Sequence, residues 1–272
     1  MKFKTIFILF NVVIVLSFLI IYFMPLFMLG WEYTADFWSR NWYLPVIFVA
    51  VIGGLNIYFI INWKLFRYLE TEDWDRLQTY LERQIYEKGR LRPQYLRVLV
   101  NAYLVQSNIV GIEKLDTFCK EKYPSVRNNF PMMLSIPYFL SNDSQAMKEH
   151  FKEFLTSAKG KDLLWVKWGF AFASFLGNEK ENAKYILLEL AGEKKDSILR
   201  LLTVYILDAY RKQDEQVGDI VDQAVRELRA NFTRKSWEKE IDKAKSEMFI
   251  VILTKIVGEA TDWLFNRQVG TQ

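Results

Sequence analysis

The chain has 272 residues, of which 51% are hydrophobic and 25% are charged, and this balance excludes a disordered or collagen-like protein. Its formal net charge of +4, from 36 basic and 32 acidic residues, is too small to indicate nucleic-acid binding. A single cysteine, Cys119, cannot form an intramolecular disulfide, and a single histidine, His150, cannot build a histidine-rich metal site. We therefore expect no enzyme active site, no metal and no cofactor.

Two uncharged segments near the N-terminus, residues 5–29 and 42–63, are each as long as the ~20 residues that a helix needs to cross a bilayer. Pro25 lies near the end of the first segment, where it can kink or finish a helix without breaking its middle. Gly53 and Gly54 lie at the centre of the second, where a neighbouring backbone could approach closely. Residues 1–63 are predicted to form a transmembrane helical hairpin with a short loop at 30–41.

The charges and aromatic residues at the ends of these segments predict their orientation. Four basic residues flank one side of the hairpin, Lys2, Lys4, Lys64 and Arg67, whereas the loop 30–41 on the other side holds Arg40 with the acidic residues Glu32 and Asp36. The positive-inside rule then places both chain ends and the large domain in the cytoplasm, with the hairpin in the inner membrane. Tryptophans at the predicted membrane surfaces agree with this arrangement: Trp31, Trp38, Trp42 and Trp63. The alternative for the first segment is a cleaved signal peptide, but its apolar run is too long and no small-residue cleavage site follows. An uncleaved anchor is expected.

Residues 64–235 show helical periodicity without a period-two strand, so this region is predicted to be all-α. Polar breaks recur in it with steps of 35, 34, 36 and 36 residues, at Asp73, Asn108, Asn142, Asn178 and Asp214. An aromatic residue precedes each break: Tyr68, Tyr103, Phe139, Phe175 and Tyr210. A terminator follows each unit: Gly89, Pro124, Gly160, Gly192 and Asn231. A period of this length is typical of a solenoid built from helix pairs.

Three segments resemble the tetratricopeptide repeat: AYLVQSN at 102–108, FLGNEKENAKYIL at 175–187 and AYRKQDE at 209–215. Trp168 and Pro124 lie where that family favours Trp and a closing Pro. The resemblance implies about five degenerate units of two antiparallel helices between residues 61 and 231. A transmembrane hairpin followed by such repeats is also similar to the plan of the HemY-type inner-membrane proteins.

Two further predictions concern the ends of the solenoid. The run FIINWKLFRYLE at 59–70 contains no Gly or Pro, which predicts a rigid continuous helix from the hairpin into the first repeat. The C-terminal segment 236–272, a helical part at 236–266 followed by a tail, breaks the period. Its apolar stripe consists of Trp237, Ile241, Met248, Ile252, Ile256 and Trp263. It has three alternative uses, which are to cap the last repeat, to lie in the groove of the solenoid, or to expose its stripe to a partner or the membrane surface.

The phase of the repeats predicts which side chains face the groove formed by the leading helices. This candidate partner-binding set comprises Arg97, Asn101, Leu104, Met133, Val166, Ala173, Val204, Asp208 and Arg211. Arg97 and Asn101, one turn apart, could grip a partner's carboxylate, and an ordinary solvated face is the equally weighted alternative. Cys119 is predicted to pack in the core, and His150 to lie on the surface between charged neighbours.

These patterns favour a non-enzymatic, membrane-anchored scaffold or adaptor that binds protein partners at the cytoplasmic membrane, with possible homo-oligomers and no nucleic acid. By analogy, its partners belong to an envelope assembly. Two alternatives stay open. The chain could be a structural subunit of a large flagellar or secretion machine, or an accessory subunit of a transporter or membrane enzyme that acts through its hairpin.

Overall fold

A computed structural model of the chain describes residues 3–141 and 143–266. All regular secondary structure in these ranges is helical, and no strand occurs in them, so the chain is all-α as predicted. Lys2, the repeat marker Asn142 and the predicted tail 267–272 lie outside the described residues. The chain divides into two compact units, Met1–Gly89 and Arg90–Gln272. Residues 63–82, which the repeat count assigns to the first repeat, therefore belong to the unit of the two apolar helices.

The first unit begins with two helices that are long and apolar enough to cross a membrane, α1 and α3. Its elements are α1 (Phe3–Leu29), α2 (Trp31–Arg40), α3 (Tyr43–Ile61), α4 (Trp63–Glu70), α5 (Trp74–Glu82) and a π-helical turn (Arg83–Glu87). The rings of Phe18 and Phe48 stack with centroids 3.8 Å apart, and those of Phe7 and Phe59 lie 4.9 Å apart. Because the later residues of α1 meet the earlier residues of α3, the two helices are antiparallel.

A hydrogen bond between two asparagine side chains joins the two apolar helices. The Asn56 side-chain amide donates to Asn11 Oδ1 over 2.7 Å and also to the Ile52 carbonyl over 2.8 Å. The Asn11 amide in turn donates to the Phe7 carbonyl, 2.8 Å away. Hydrogen bonds of this kind satisfy polar groups that hydrocarbon would leave without partners. Asn11 and Asn56 therefore fix the register of the hairpin.

Two details of the first unit differ from the predictions. The predicted loop at 30–41 contains helix α2, separated from α1 by Gly30 in a left-handed conformation with φ 80°. Trp38 of α2 stacks on Tyr22 of α1, with centroids 5.7 Å apart, so α2 folds back along the end of α1. The predicted continuous rod is also wrong, because α3 ends at Ile61 and α4 begins at Trp63. At the break the Asn62 side-chain amide donates to the Tyr58 carbonyl over 2.8 Å. Such a bond competes with the backbone hydrogen bonds of the helix, which is why Asn weakens helices.

The second unit consists of thirteen α-helices within its described residues, in chain order. They are α6 (Pro93–Val105), α7 (Ile109–Lys122), α8 (Pro124–Arg127), α9 (Pro131–Leu134), α10 (Ile136–Ser141), α11 (Ser144–Phe154), α12 (Gly160–Leu176), α13 (Lys180–Ala191), α14 (Ser197–Leu207), α15 (Glu215–Asn231), α16 (Arg234–Ala244), α17 (Met248–Ile252) and α18 (Thr254–Asn266). A 3-10 turn, Asp208–Tyr210, follows α14.

Consecutive helices of the second unit form antiparallel pairs. A Cβ atom at Gly169 would lie 2.4 Å from the Phe151 ring, and one at Gly177 would lie 3.5 Å from Ser144 Oγ. The middle of α12 thus meets the middle of α11, and its end meets the start of α11. Between α14 and α15, Arg200 Nη2 lies 2.8 Å from Glu227 Oε2. These pairs are the helical hairpins that the sequence predicts.

Neighbouring pairs also stack on one another. α12 contacts α14, and α13 contacts α15, so leading helices lie beside leading helices and second helices beside second helices. Polar contacts between residues 30 apart join successive pairs: Lys184 Nζ lies 2.6 Å from Asp214 Oδ2, and the Tyr210 hydroxyl donates to the Lys180 carbonyl over 3.0 Å. Contacts at nearly one repeat length are the arrangement of a stacked solenoid.

The polar breaks act as turns and N-caps. Asp73, Asn108 and Asp214 each accept a backbone N–H from the first turn of the helix that follows. Glu72 and Ser107 have left-handed backbone conformations just before two of these caps, and Asn178 has one just before Glu179, which precedes α13 without a side-chain cap bond. Their positions are one and two repeat lengths apart, so the same turn recurs along the chain.

The third repeat departs from the expected regular leading helix. Its N-terminal part is divided into α8, α9 and α10, with proline at the first position of α8 and α9 and Pro137 in α10. Proline has no backbone N–H and favours the first turn of a helix, so this segment restarts rather than continues. Ser135, buried between α9 and α10, donates its hydroxyl to the Met132 carbonyl over 2.7 Å.

The C-terminal segment is not one helix but three, and two of the predicted uses occur together. α18 packs on α14 and α15, the last pair of the stack, as a cap would. α17 instead contacts α9 and α10. Turns after Ala244 and at Leu253 change the phase of the helices, so the buried apolar residues beyond 247 are not the predicted stripe. They are Phe249, Ile250, Leu253, Val257, Ala260 and Leu264.

Candidate functional site

Of the two residues predicted to bind a carboxylate on α6, Arg97 is accessible, whereas Asn101 Oδ1 is buried. Arg97 is exposed, with its guanidinium carbon 5.3 Å from the centre of the Phe130 ring. The Asn101 side chain, one turn later, is half-buried, and its Oδ1 has no hydrogen-bond partner among residues 3–141 and 143–266. Leu104 is half-buried beside them. These three residues therefore form a partly open polar and apolar surface on one helix.

Other predicted groove residues are not available to a partner. Val166, Ala173 and Val204 are all buried in the hydrophobic core, which corrects the prediction that they face an open groove. The reason is that α12 and α14 lie in the middle of the stack. There the neighbouring pairs and the C-terminal segment cover more than one side of each helix.

Asp208 and Arg211, predicted at the last part of the groove, bind each other instead. Arg211 Nε lies 3.0 Å from Asp208 Oδ1, and Arg211 also pairs with Asp222 of α15. The hydrogen bond with Asp222 raises the pKa of the Arg211 guanidinium above its usual value, although its partial burial opposes this. The Trp263 indole of α18 donates to Asp208 Oδ2 over 3.0 Å. This pair therefore holds α15 and α18 in place.

The groove side of the stack is occupied by α17. Its Phe249 ring lies 4.9 Å from the Trp165 ring of α12 in an edge-to-face arrangement, and Phe249, Ile250 and Leu253 are all buried. Next to it, the Trp165 indole donates to Asp196 Oδ2 over 3.0 Å. The residues that line the groove between α9, α10 and α12 thus already bind a short apolar helix from the same chain.

Two clefts border α17. The larger, of about 670 Å³, lies between the starts of α12 and α14 on one side and α16 and α17 on the other. The smaller, of about 130 Å³, is lined by Arg97, Phe130 and Met133 together with residues of α12 and α17. Met133 was the predicted groove residue of the third repeat, and the structure places it there. The α17 helix thus fills only part of the available groove.

A buried polar cluster, which the sequence analysis missed, joins α7, α8 and α11. Arg127 donates two hydrogen bonds to Asp116, of 2.6 and 3.0 Å, and its guanidinium carbon lies 4.3 Å from the centre of the Phe154 ring. Glu153 Oε2 lies 3.0 Å from Arg127 Nη1. Burial raises the pKa of the Asp116 carboxyl, but hydrogen bonds from His150 and Arg127 outweigh it and hold the pKa below its usual value.

His150 belongs to this cluster, so the prediction that it lies on the surface is wrong. It is buried, with Nε2 3.2 Å from the Pro131 carbonyl oxygen and Nδ1 3.5 Å from Asp116 Oδ2. A sequence signal for its burial exists, because residue 150 follows Met147 by three positions and precedes Phe154 by four. That spacing places it on the apolar side of α11.

Cys119 is buried in the core, as predicted. Burial and the nearby Asp116 charge raise the pKa of its thiol to about 12. A thiol with this pKa is almost entirely protonated at neutral pH and is a poor nucleophile. No group of three or more His, Cys, Asp or Glu residues that could hold a metal ion occurs within 3–141 and 143–266.

Gly53 and Gly54 lie on an open part of α3. A Cβ atom at either position would meet no other atom within 4 Å. The close helix approach that the sequence predicts is therefore not made by α1, whose contacts with α3 pass through Asn11 and the aromatic residues. The surface around the two glycines is free to accept another helix.

Comparison with known proteins places the second unit in a family. A family model described as "Uncharacterised Treponema protein" matches residues 111–266, which is more than half of the chain. The chain belongs to this Treponema family. A protein of Treponema pallidum (strain Nichols) described as "Uncharacterized protein" is 21% identical over 232 residues, covering 81% of this chain and 74% of that protein. No solved structure matches the chain.

The segment matched by the Treponema family model includes the main features of the candidate site. It begins in α7 and ends with α18, so it contains the buried cluster around Asp116, the groove and α17. It does not include α1, α3 or the Arg97 and Asn101 pair of α6.

Proposed function

We propose that this protein is a non-enzymatic, membrane-anchored scaffold of the tetratricopeptide-like kind, which binds protein partners at the cytoplasmic membrane within a larger envelope assembly. α1 and α3 would lie in the lipid bilayer, because no residue in the most apolar stretch of either helix is buried within the chain. The basic residues Lys4, Lys64 and Arg67 support a cytoplasmic position for the second unit.

One observation supports partner binding most directly. Exposed apolar residues recur along the second unit at the repeat spacing, at the ends of successive leading helices: Val105 is 56% exposed, Leu140 50% and Leu176 42%. Their positions are 35 and 36 residues apart. Since the ends of stacked helices lie along one edge of a solenoid, these residues form an apolar edge that we call the turn edge. We infer that this row of exposed apolar side chains is a protein interaction site.

The test is site-specific photo-crosslinking in intact membranes, with a photoreactive residue placed at Val105, Leu140 or Leu176. We expect all three positions to crosslink to the same protein, because one partner lying along the edge would touch each repeat. A matched control at Lys239, on the exposed side of α16, should not crosslink to it. Capture of different proteins at the three positions, or equal capture at Lys239, would contradict a shared binding edge.

Membrane attachment and orientation are tested separately. The full-length chain should stay in the membrane pellet after alkaline carbonate extraction, because α1 and α3 would have to expose their apolar surfaces to leave it. In intact spheroplasts, external protease should not cleave the second unit. Release by carbonate would contradict the anchor, and external cleavage of the second unit would contradict the cytoplasmic orientation.

A second function, an accessory subunit of a transporter or membrane enzyme, is favoured by the open surface at Gly53 and Gly54. Such a chain would bind its partner through α3, because small residues let helix backbones approach closely in lipid. Gly54→Leu would then abolish co-purification of the partner while leaving the second unit folded. Unchanged co-purification would exclude this surface.

A further inference from the structure

The packing of α17 resembles that of a ligand bound in the groove more than that of a helix in a repeat pair. It is a five-residue helix between two turns, and it packs on α9 and α10 far from its own position in the sequence. Phe249 contacts the Trp165 ring, and Phe249, Ile250 and Leu253 are all buried in the same hydrophobic core. Its contact with Trp165 joins residues of the fourth repeat and the C-terminal segment.

The groove around α17 has unused space. The two clefts of about 670 and 130 Å³ lie on its two sides, and Phe249 lines both of them. Val251 points outward and is exposed. Both clefts are open to solvent, so α17 leaves part of the groove uncovered.

Two carboxylates and two cations meet in the smaller cleft at the start of α17. Glu247, which precedes the helix, lies near Asp162 of α12. Burial and the Glu247 charge raise the pKa of the Asp162 carboxyl, whereas the charges of Lys161 and Arg97 lower it. The nearby cations, Arg97 and Lys161, line the smaller cleft together with Asp162 and Glu247. Two carboxylates close together destabilise the state that brings them together.

We propose that the groove formed by α9, α10 and the start of α12 is a binding site for short apolar helices, and that α17 is its internal ligand. The competing ligand is a partner helix with an aromatic residue, an adjacent aliphatic residue and a second aliphatic residue three positions later, as in Phe249, Ile250 and Leu253. It has a neutral or basic residue in the position of Glu247, and so avoids the repulsion by Asp162. This inference rests on the proposed scaffold function and identifies the chemistry of its partner.

The exchange is measured by cysteine labelling of the full-length chain in detergent. The one native cysteine, Cys119, is buried and reacts slowly, so a reporter cysteine introduced as Ile250→Cys gives a distinct signal. A maleimide reagent modifies this reporter only while α17 is out of the groove. Val251→Cys is the matched control, because residue 251 is exposed whether or not α17 is bound.

Two changes test the internal ligand. Adding Glu247→Gln to the reporter chain should slow its labelling about 1.5-fold to 5-fold, since one charge interaction near the surface has an effect of that order. The Val251→Cys control should not change. Glu247 is exposed, so this variant tests the contact without disturbing the core. Unchanged labelling with Glu247→Gln would overturn the role assigned to the two carboxylates.

The partner chemistry is tested with a peptide of residues 246–254 in which Lys replaces the Glu at position 247. A scrambled peptide of the same composition controls for partition into detergent. The peptide should accelerate labelling of the Ile250→Cys reporter and reach saturation, while the scrambled peptide should have no effect. Labelling as slow as that of Cys119 with both peptides would show that α17 is a permanent part of the core and overturn the proposal. This outcome is distinguishable from failure of the scaffold function, because crosslinking along the turn edge does not depend on α17.

Discussion

Replacing Arg127 by methionine tests whether the buried cluster stabilises the second unit. The side chains of Arg127 and Asp116 are 7% and 8% exposed, and two hydrogen bonds join them. Without the guanidinium, the Asp116 carboxylate keeps the His150 contact of 3.5 Å in a buried site. Removing one partner of a buried ion pair lowers the free energy of unfolding by about 3–5 kcal/mol. We expect a loss in that range for Arg127→Met.

Replacing Asp116 should lower the free energy of unfolding less than replacing Arg127 does. In Asp116→Leu, Arg127 still has Glu153 at 3.0 Å and the face of the Phe154 ring. The double variant Asp116→Leu with Arg127→Met leaves no buried unpaired charge of this pair, since Glu153 is partly exposed and is also bound by Lys120. Its free energy of unfolding should therefore exceed that of Arg127→Met alone.

The assay is urea unfolding of the full-length chain in detergent, followed by circular dichroism and extrapolated to zero denaturant. Arg234→Met is the matched control, because the Arg234 and Asp262 side chains are 53% and 61% exposed, and such pairs contribute about 0–1 kcal/mol. If Arg127→Met loses no more stability than Arg234→Met, or if the double variant loses as much as the two single losses together, the cluster is not an energetically coupled pair.

Three further predictions use the same unfolding assay. Because the Asp116 pKa is depressed in the folded chain, the ionised carboxylate adds to the free energy of unfolding above the usual pKa of about 4, and this stability is lost as the pH falls further. The free energy of unfolding of Asp116→Asn should therefore depend less on acid pH than that of the wild type. Gly169→Ala should lose about 1–3 kcal/mol, because its Cβ would lie 2.4 Å from the Phe151 ring, while Gly258→Ala meets no atom within 4 Å and should gain a few tenths to about 1 kcal/mol. Trp263→Phe should lose about 1.5–3 kcal/mol, because it removes a hydrogen bond to the Asp208 carboxylate. The Asp116 contact would be contradicted if Asp116→Asn and the wild type lost stability equally as the pH falls. The Gly169 contact would be contradicted by equal free energies of unfolding for Gly169→Ala and Gly258→Ala, and the Trp263 bond by an unchanged free energy of unfolding for Trp263→Phe.

The sequence was sufficient for features that depend on local chemistry. An uncharged run of about 20 apolar residues predicts α1 and α3, because a helix satisfies its backbone hydrogen-bonding groups within the segment itself. Asp73, Asn108 and Asp214 were found as breaks because residues that cap helices have short polar side chains. The end of α15 at Asn231 was likewise predicted from its position after the last apolar turn.

Features that depend on tertiary contacts were missed. The charged neighbours of His150 suggested a surface position, although its helical spacing from Met147 and Phe154 indicated the opposite. Its burial depends on Asp116 and Arg127, which come from two other helices. The buried residues of the C-terminal segment could not be predicted from one helical periodicity. The segment forms three helices, and each turn between them changes which side chains face the core.

The C-terminal segment also changes how the repeats depend on one another. In a simple solenoid each pair contacts only its neighbours, so stability is close to a sum of local interactions. Here the Phe249 contact with Trp165 and the Trp263 bond to Asp208 join the segment to two different repeats. The two attachments differ in kind, because α18 is held by an indole hydrogen bond and a bond from Arg229 to the Leu264 carbonyl, whereas α17 is held by apolar contacts beside an unfavourable carboxylate pair. A segment fixed at α18 and weakly held at α17 can leave the groove without detaching from the stack, and its local concentration then favours its return.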